Sequence, residues 1–390
     1  MDKRVYWIWL QNAFGPGSAK PKQIIDRMGD PEEFYHGGIG LWSSFKFISD
    51  KELSALSMYG VEQASAALEY CLRLGQKVIT PDSRMYPELL KEIHNPPAVL
   101  YVRGEIPDFT NTLWISAVGT RKATDVGMNA AKDICYQLAK HGAVIVSGGA
   151  LGIDSQAHLG ALSAGGKTVA ILPCGLDYPY LMDNAQIRRE ILDTDGALIS
   201  EFPLNTPVQR GAFQIRNRLI SGISHGVFVA EAPKKSGALI TAKHALDQNR
   251  EVFAFVGQNE VKFAGCIALT DDGAKRVRTA EEILKSFEHT FSRPKKMPSV
   301  FDFLTEEENE EPVKVLTDTA LPETSEEEFV NPGVSDAALK VLSLLSGEPK
   351  HVSELETAAD MPAGEIMAAL TELELFGLVH TSPGQRFTKA

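Results

Sequence analysis

The sequence predicts an α/β fold built on a doubly wound parallel sheet, and three observations carry that expectation. Six short apolar runs, LWISAVG, AVIVSG, KTVAILP, GALISEF, GVFVAEA and EVFAFVG, fall between residues 113 and 257. Helical windows separate them, among them VGMNAAKDICYQLAKHG, GIDSQAHLGALSAGG and GALITAKHALDQNR. The runs are nearly continuous rather than alternating, which is the pattern of strands covered on both faces.

Ahead of this region, YWIWLQNAF, PKQIIDRMG, EEFYHG and KELSALSMYGVEQASAALEYCLRLG are helical windows broken by Gly and Pro, and predict a small helical domain over residues 1–72. Pro-Pro then precedes one further short strand, AVLYVRG, which opens an α/β domain expected over 73–290. Residues 291–332 read as a linker, because FDFLTEEENEEPVKVLTDTALPETSEEEFV lacks sustained periodicity. Residues 333–390 hold three helical windows and the hairpin-like GLVHTSPGQRFT, the pattern of a winged-helix domain. That domain lacks the basic footprint of a DNA reader, which favours a role in protein interaction.

The formal charge of −12 is unevenly spread. Residues 301–330 carry one Lys against 11 acidic residues, whereas residues 111–290 carry 19 basic against 18 acidic. Acidity therefore resides mostly in the linker, and the central domain is free to hold a local basic patch. Four scattered cysteines, with no C-x-x-C pair, suggest neither a disulfide framework nor a metal site. No apolar stretch approaches the roughly 18 residues of a membrane span, so a cytoplasmic location is expected.

In doubly wound sheets ligands bind beyond the carboxyl ends of the strands, so the loops following the apolar runs are the candidate sites. After LWISAVG, the loop GTRKATDVG places Arg121 and Lys122 between Gly119 and Gly127. It lacks the second glycine of a dinucleotide fingerprint and offers a cation instead, so it suits a phosphate other than that of NAD, and no cofactor is expected. After AVIVSG, the stretch GGALGIDSQAH combines Ser147, Gly148 and Gly149 with Asp154 and His158. Its glycines allow backbone N–H groups to converge on an anion. Asp154 and His158, four apart on one helical face, are either an acid/base pair or a helix cap beside a core histidine. After GVFVAEA, PKKSGALIT brings Lys234, Lys235, Ser236, Gly237 and Thr241 to the start of another helix, where lysines and hydroxyls meet phosphate oxygens.

The stretch FQIRNRLISGISHG adds an aromatic and two arginines. Ile215, Leu219, Ile220 and Ile223 form an apolar stripe on a helix. Asn217 and Arg218 point away from it and are expected at a ligand-facing rim. Arg216 falls close to the stripe and is expected to be partly buried beside a carboxylate, with Asp154, Glu201 and Glu231 as candidates. Upstream, Arg210 offers a cation for a phosphate, and Phe213 is either a platform for a stacked base or a core aromatic.

Taken together, AVGTRKATDVG, IVSGGALGIDSQAHLGAL, GGKTVAILPCGLDYPY, GALISEF, FQIRNRLISGISHGVFVAEAPKKSGALITA and NREVFAFVG, in this order, closely resemble the DNA-processing protein A family, also called Smf. The resemblance implies a Rossmann-like central domain over about residues 75–275, an N-terminal sterile-alpha-motif-like or helix-hairpin-helix-like domain, and a C-terminal winged helix. It implies sequence-tolerant binding of single-stranded DNA, a homodimer formed through the Rossmann-like domain, and loading of RecA recombinase onto strands covered by single-strand-binding protein during recombination and natural transformation. By the resemblance, Arg121, Ser147, Gly148, Gly149, Arg210, Phe213, Asn217 and the Ser236–Thr241 turn line the DNA pocket. The chain departs from the family pattern at Phe255–Gly257, in AGCIALTDDGA, and at Gln214, which puts the far wall of the pocket in question.

Two other classes compete with this reading. A nucleotide-cleaving phosphoribohydrolase would use Asp154, His158 and Glu231 as acid/base groups, but the chain lacks the P-G-G-x-G-T-x-x-E stretch of such enzymes. A pure interaction scaffold would not need three phosphate-type loops.

Overall fold

The computed structural model describes residues 2–291 and, beyond residue 335, residues 336–345, 350–359, 361–362, 365–366, 369–370, 373, 379–382 and 386–389. The acidic stretch at 301–330 lies outside the described residues. Two compact units, Met1–Glu307 and Glu308–Ala390, make up the chain.

The first unit opens with six helices: α1 (Arg4–Phe14), α2 (Lys20–Met28), α3 (Pro31–His36), α4 (Gly38–Trp42), α5 (Asp50–Met58) and α6 (Val61–Arg73). Their starts follow local chemistry. The Asp30 side chain accepts the Glu32 N–H to begin α3, and Ser49 with Glu52 forms a capping box on α5. Trp9, Phe34, Trp42 and Phe45 are buried together at the centre. The same apolar cluster continues into Val78, Val99, Tyr101, Leu172 and Leu198, so the helices share a core with the sheet.

The sheet and its helices follow as β1 (Lys77–Ile79), α7 (Glu88–Lys91), β2 (Leu100–Gly104), β3 (Trp114–Gly119), α8 (Asp125–Lys140), β4 (Val144–Ser147), α9 (Ile153–Ser163), β5 (Thr168–Ile171), α10 (Ala185–Asp193), β6 (Ala197–Ser200), α11 (Ala212–Gly222), β7 (Gly226–Glu231), α12 (Ala238–Asp247), β8 (Glu251–Ala254), α13 (Ala264–Asp271), β9 (Lys275–Arg276) and α14 (Ala280–Lys285). Spatial order is β1-β2-β6-β5-β4-β3-β7-β8-β9. All neighbours from β6 to β9 are parallel, while β1 and β2 add antiparallel strands at one edge. The six apolar runs all became strands of this doubly wound sheet. The short edge strands β1 and β9 were not anticipated, being too brief for a periodic signal.

Strand order reverses between β3 and β7. From β3 the chain winds outward through β4, β5 and β6, then returns through α11 to lay β7 on the other side of β3. Strand residues alternate between two layers. Ile115, Ala117 and Ile145 face α8 and α9, whereas Trp114, Val118 and Val146 face α11 and α12. Among the described residues no helix is long and apolar enough to cross a membrane, and all four cysteines are free and buried.

A polar knot ties the helical segment to the sheet. Glu201, just past β6, is buried and receives the Gly17 N–H at 2.8 Å on one carboxylate oxygen and an Arg218 guanidinium nitrogen on the other. Arg218 donates a second bond to the Asn95 carbonyl at 2.7 Å, and the Asn95 amide donates to the Gly17 carbonyl at 2.8 Å. Arg218 is only 3% exposed. Its expected place at a solvent rim is thus overturned: the segment before β2 packs Leu90 and Ile93 against Gly222, covering the face of α11 that periodicity assigned to solvent.

The second unit contains α15 (Asp336–Leu344), β10 (Lys350–His351), α16 (Val352–Ala359), β11 (Val379–Ser382) and β12 (Arg386–Lys389). Its three strands form an antiparallel sheet in the order β10-β12-β11 over a core that includes Val341, Leu355, Leu370 and Phe387. The hairpin and the first two helices match the winged-helix expectation. The third helical window lies partly outside the described residues.

Removing one partner of a buried pair strands the other. Arg218→Ala should therefore lower the unfolding free energy by about 3–5 kcal/mol, measured by urea denaturation, and Arg216→Ala should cost less. The reverse ranking would refute this assignment of the two arginines.

Candidate functional site

Three loops and one helix meet where the strand order reverses, the position at which doubly wound sheets bind ligands. The loop after β3 is held by Glu231 at the end of β7. The Glu231 carbonyl accepts the Thr120 N–H at 2.8 Å, and its carboxylate accepts the Thr124 N–H at 3.0 Å and hydroxyl at 2.6 Å. Gly119 has no room for a side chain, since a Cβ there would meet Ile153 and, at 2.9 Å, the Glu231 carbonyl. With its ends fixed, the loop leaves Arg121 and Lys122 exposed at the mouth. The turn after β7 is closed by the Ser236 N–H donating to the Pro233 carbonyl at 2.9 Å. It presents exposed Lys235 and Gly237 and then the buried Thr241 of α12.

Between these loops lies a cavity of about 500 Å³. Its α11 wall comprises Phe213, Arg216, Asn217 and Ile220. The Arg121 guanidinium sits over the Phe213 ring, 4.8 Å from its centroid, and Tyr180 flanks the ring at 6.5 Å. Arg216 is 4% exposed. It makes no hydrogen bond or ion pair among the described residues, and its Nε is buried without a partner. Asp154 is the closest electrostatic counterweight. Burial pushes the Asp154 carboxyl up and works against the charged form of Arg216.

Nine of the residues expected at the site line this cavity: Gly119, Arg121, Lys122, Phe213, Asn217, Lys235, Ser236, Gly237 and Thr241. Five do not. Arg218 is engaged by Glu201, and Arg210 is exposed in the approach to α11. Ser147, Gly148 and Gly149 are buried beneath the site. The second loop does converge its amides on an anion, but that anion is the chain's own Asp154, which accepts the Gly148 and Ala150 N–H groups at 3.2 and 3.3 Å. The Ser147 hydroxyl donates to the Ala117 carbonyl at 2.7 Å, and the Gly149 carbonyl accepts the Asn184 amide at 3.1 Å. Gly148 instead shapes the floor, because any Cβ there would collide with an Arg216 guanidinium nitrogen.

Two floor residues, Arg216 and Asp154, were read from sequence as structural or as an acid/base group. The missed signal is the glycine at 148, which leaves space for a guanidinium rather than for a phosphate.

Residues 77–288, more than half of the chain, match the family model for DNA recombination-mediator protein A, and residues 325–385 match the DprA winged helix domain. The chain belongs to the DNA recombination-mediator protein A family. Protein Smf of Synechocystis sp. is 36% identical over 329 residues, covering 80% of this chain and 79% of that protein. DNA processing protein DprA of Bacillus subtilis is 39% identical over 212 residues, covering 54% of this chain and 71% of that protein. The X-ray structure of DNA processing protein A (DprA) from Streptococcus pneumoniae aligns with a TM-score of 0.54 and 30% identity, covering 60% of this chain and 81% of that one.

In this member of the DNA recombination-mediator protein A family, the groups weighed for acid/base work are each engaged elsewhere. Glu231 clamps the first loop and Asp154 holds the second. His158 is fully buried, its Nδ1 2.8 Å from the Thr168 hydroxyl, and that hydroxyl donates to the Ile145 carbonyl. Burial, with a smaller contribution from Arg216, pushes the His158 pKa down to about 3.

A histidine held neutral in the folded chain titrates near its ordinary value once unfolded, so acid favours the unfolded state below about pH 6.5. Relative to His158→Gln, the wild type should lose about 2 kcal/mol of stability between pH 7 and pH 5, followed by urea denaturation at each pH. Parallel pH profiles of the two proteins would contradict the neutral assignment.

Proposed function

We propose that the chain is a non-enzymatic binder of single-stranded DNA, working as a homodimer that protects strands and helps load RecA recombinase onto them. One observation carries the reading: Arg121, Lys122 and Lys235 border the same cavity as the Phe213 ring, at the sheet's reversal point. Cations at the mouth meet phosphates of any sequence, and an aromatic face accepts any base. The guanidinium over Phe213 already shows that the ring face receives a flat cation. An arriving base takes that face and turns Arg121 toward the backbone phosphate. Bases of a duplex are paired and stacked inward, so they do not reach the ring.

Family membership supports the wider role, with RecA and single-strand-binding protein as partners in recombination and natural transformation in the cytoplasm. The phosphoribohydrolase alternative is disfavoured by the engagement of Asp154, His158 and Glu231 in holding loops and core.

The test is oligonucleotide binding at several salt concentrations, read by fluorescence anisotropy. Three mouth cations predict a slope of log affinity against log salt of about −2 for single strands, and Arg121→Ala should reduce its magnitude by about 0.7. Phe213→Ala should cost about 1–3 kcal/mol of binding with little change in slope. Equal affinity for duplex, or no effect of either substitution, would sink the proposal.

A further inference from the structure

The cavity has more than its mouth, and its floor carries chemistry that a passing strand does not use. We propose that the Arg216 end of the cavity is a site for a phosphate monoester, the terminal phosphate of a nucleotide, distinct from the diesters met by the mouth cations. The inference rests on the nucleic-acid reading of this cavity and deepens it.

Arg216 is a guanidinium 4% exposed, lining the cavity, with no hydrogen bond of its own among the described residues. Buried charge without a partner is costly unless a ligand completes the site. The nearby carboxylate does not complete it: Asp154 Oδ2 receives the Gly148 and Ala150 amides, and no Asp154 oxygen lies within ion-pairing distance of Arg216. The Tyr180 hydroxyl, which interacts electrostatically with Arg216, is also buried without a partner. Gly148 is what lets the guanidinium lie where it does.

Depth selects the end group. Val118, Ala150, Ile220 and Thr241, all almost fully buried, line the cavity together with Arg216, whereas Arg121, Lys122 and Lys235 are exposed, so the Arg216 end is the inner one. A diester joined on both sides stays at the mouth with Arg121, Lys122 and Lys235, whereas a strand terminus or a free nucleotide can descend. A monoester carries about −1.5 to −2 charge at pH 7 and three free oxygens, a match for the bidentate fork of arginine.

The experiment uses the full chain and short oligothymidylates in four forms: phosphate or hydroxyl at the 5′ end, and phosphate or hydroxyl at the 3′ end. Thymidine monophosphate and thymidine serve as competitors. One phosphorylated oligomer should bind about tenfold tighter than its hydroxyl counterpart, the scale of a charge-assisted bond. That ratio should fall towards one in Arg216→Gln and in Gly148→Ala, with thermal melting confirming that both variants fold. Displacement by thymidine monophosphate but not thymidine, without discrimination between oligomer ends, would assign the site to free nucleotides and still support the monoester. Neither discrimination nor displacement would overturn the proposal. Loss of all oligomer binding with retained nucleotide binding would instead refute the strand reading and leave the monoester site standing.

Discussion

The geometry of the cavity depends on the rotation of α11 about its axis, and the buried pairing of Arg218 with Glu201 sets that rotation. Successive residues of a helix turn by about 100°, so Arg216 and Arg218 point roughly 200° apart. Once Arg218 faces Glu201 and the Asn95 carbonyl, Arg216 must face the opposite way. Phe213, Asn217 and Ile220 lie within about 100° of Arg216 and are carried to the same side. One ion pair on the back of the helix thus aims an aromatic ring and an unpaired cation at the site on its front.

Carboxylates do the complementary work. Glu231 and Asp154 stand beside the cavity, yet the side-chain hydrogen bonds that each makes go to the chain itself, one to the loop carrying Arg121 and the other to the glycine loop. Neither forms an ion pair with Arg216 among the described residues. A central domain with nearly equal numbers of acidic and basic side chains can therefore present a cationic cavity. What matters is which charges are already satisfied, since a carboxylate holding backbone amides is a poor partner for a distant guanidinium.

Much of the architecture is legible in one dimension. Continuous apolar strands alternating with helices admit few arrangements, and the right-handed crossover rule with burial on both faces leads to the doubly wound sheet. The loops after β3 and β7 were legible for a related reason. Ligands collect at strand carboxyl ends, and Arg121, Lys122, Lys235 and Ser236 stand immediately beyond them. The strands β1 and β9 were not, because two or three residues carry no period.

The two arginines of α11 mark the limit of that legibility. A hydrophobic stripe identifies one buried face of a helix and assigns the other to solvent. Here the segment around Leu90 and Ile93 covers the second face, so Arg218 is buried against Glu201 instead of standing at a rim, while Arg216 is buried as its place near the stripe suggests. The glycine loop departs from expectation over a much shorter range. Its composition fits an anion, but only the approach of α9 to β4 makes that anion Asp154. Local pattern and composition thus suffice for the fold class and for the loops at the strand ends. The partners of Arg218 are settled by long-range packing, because its burial and its hydrogen bonds depend on segments up to about 120 residues apart, as with Asn95.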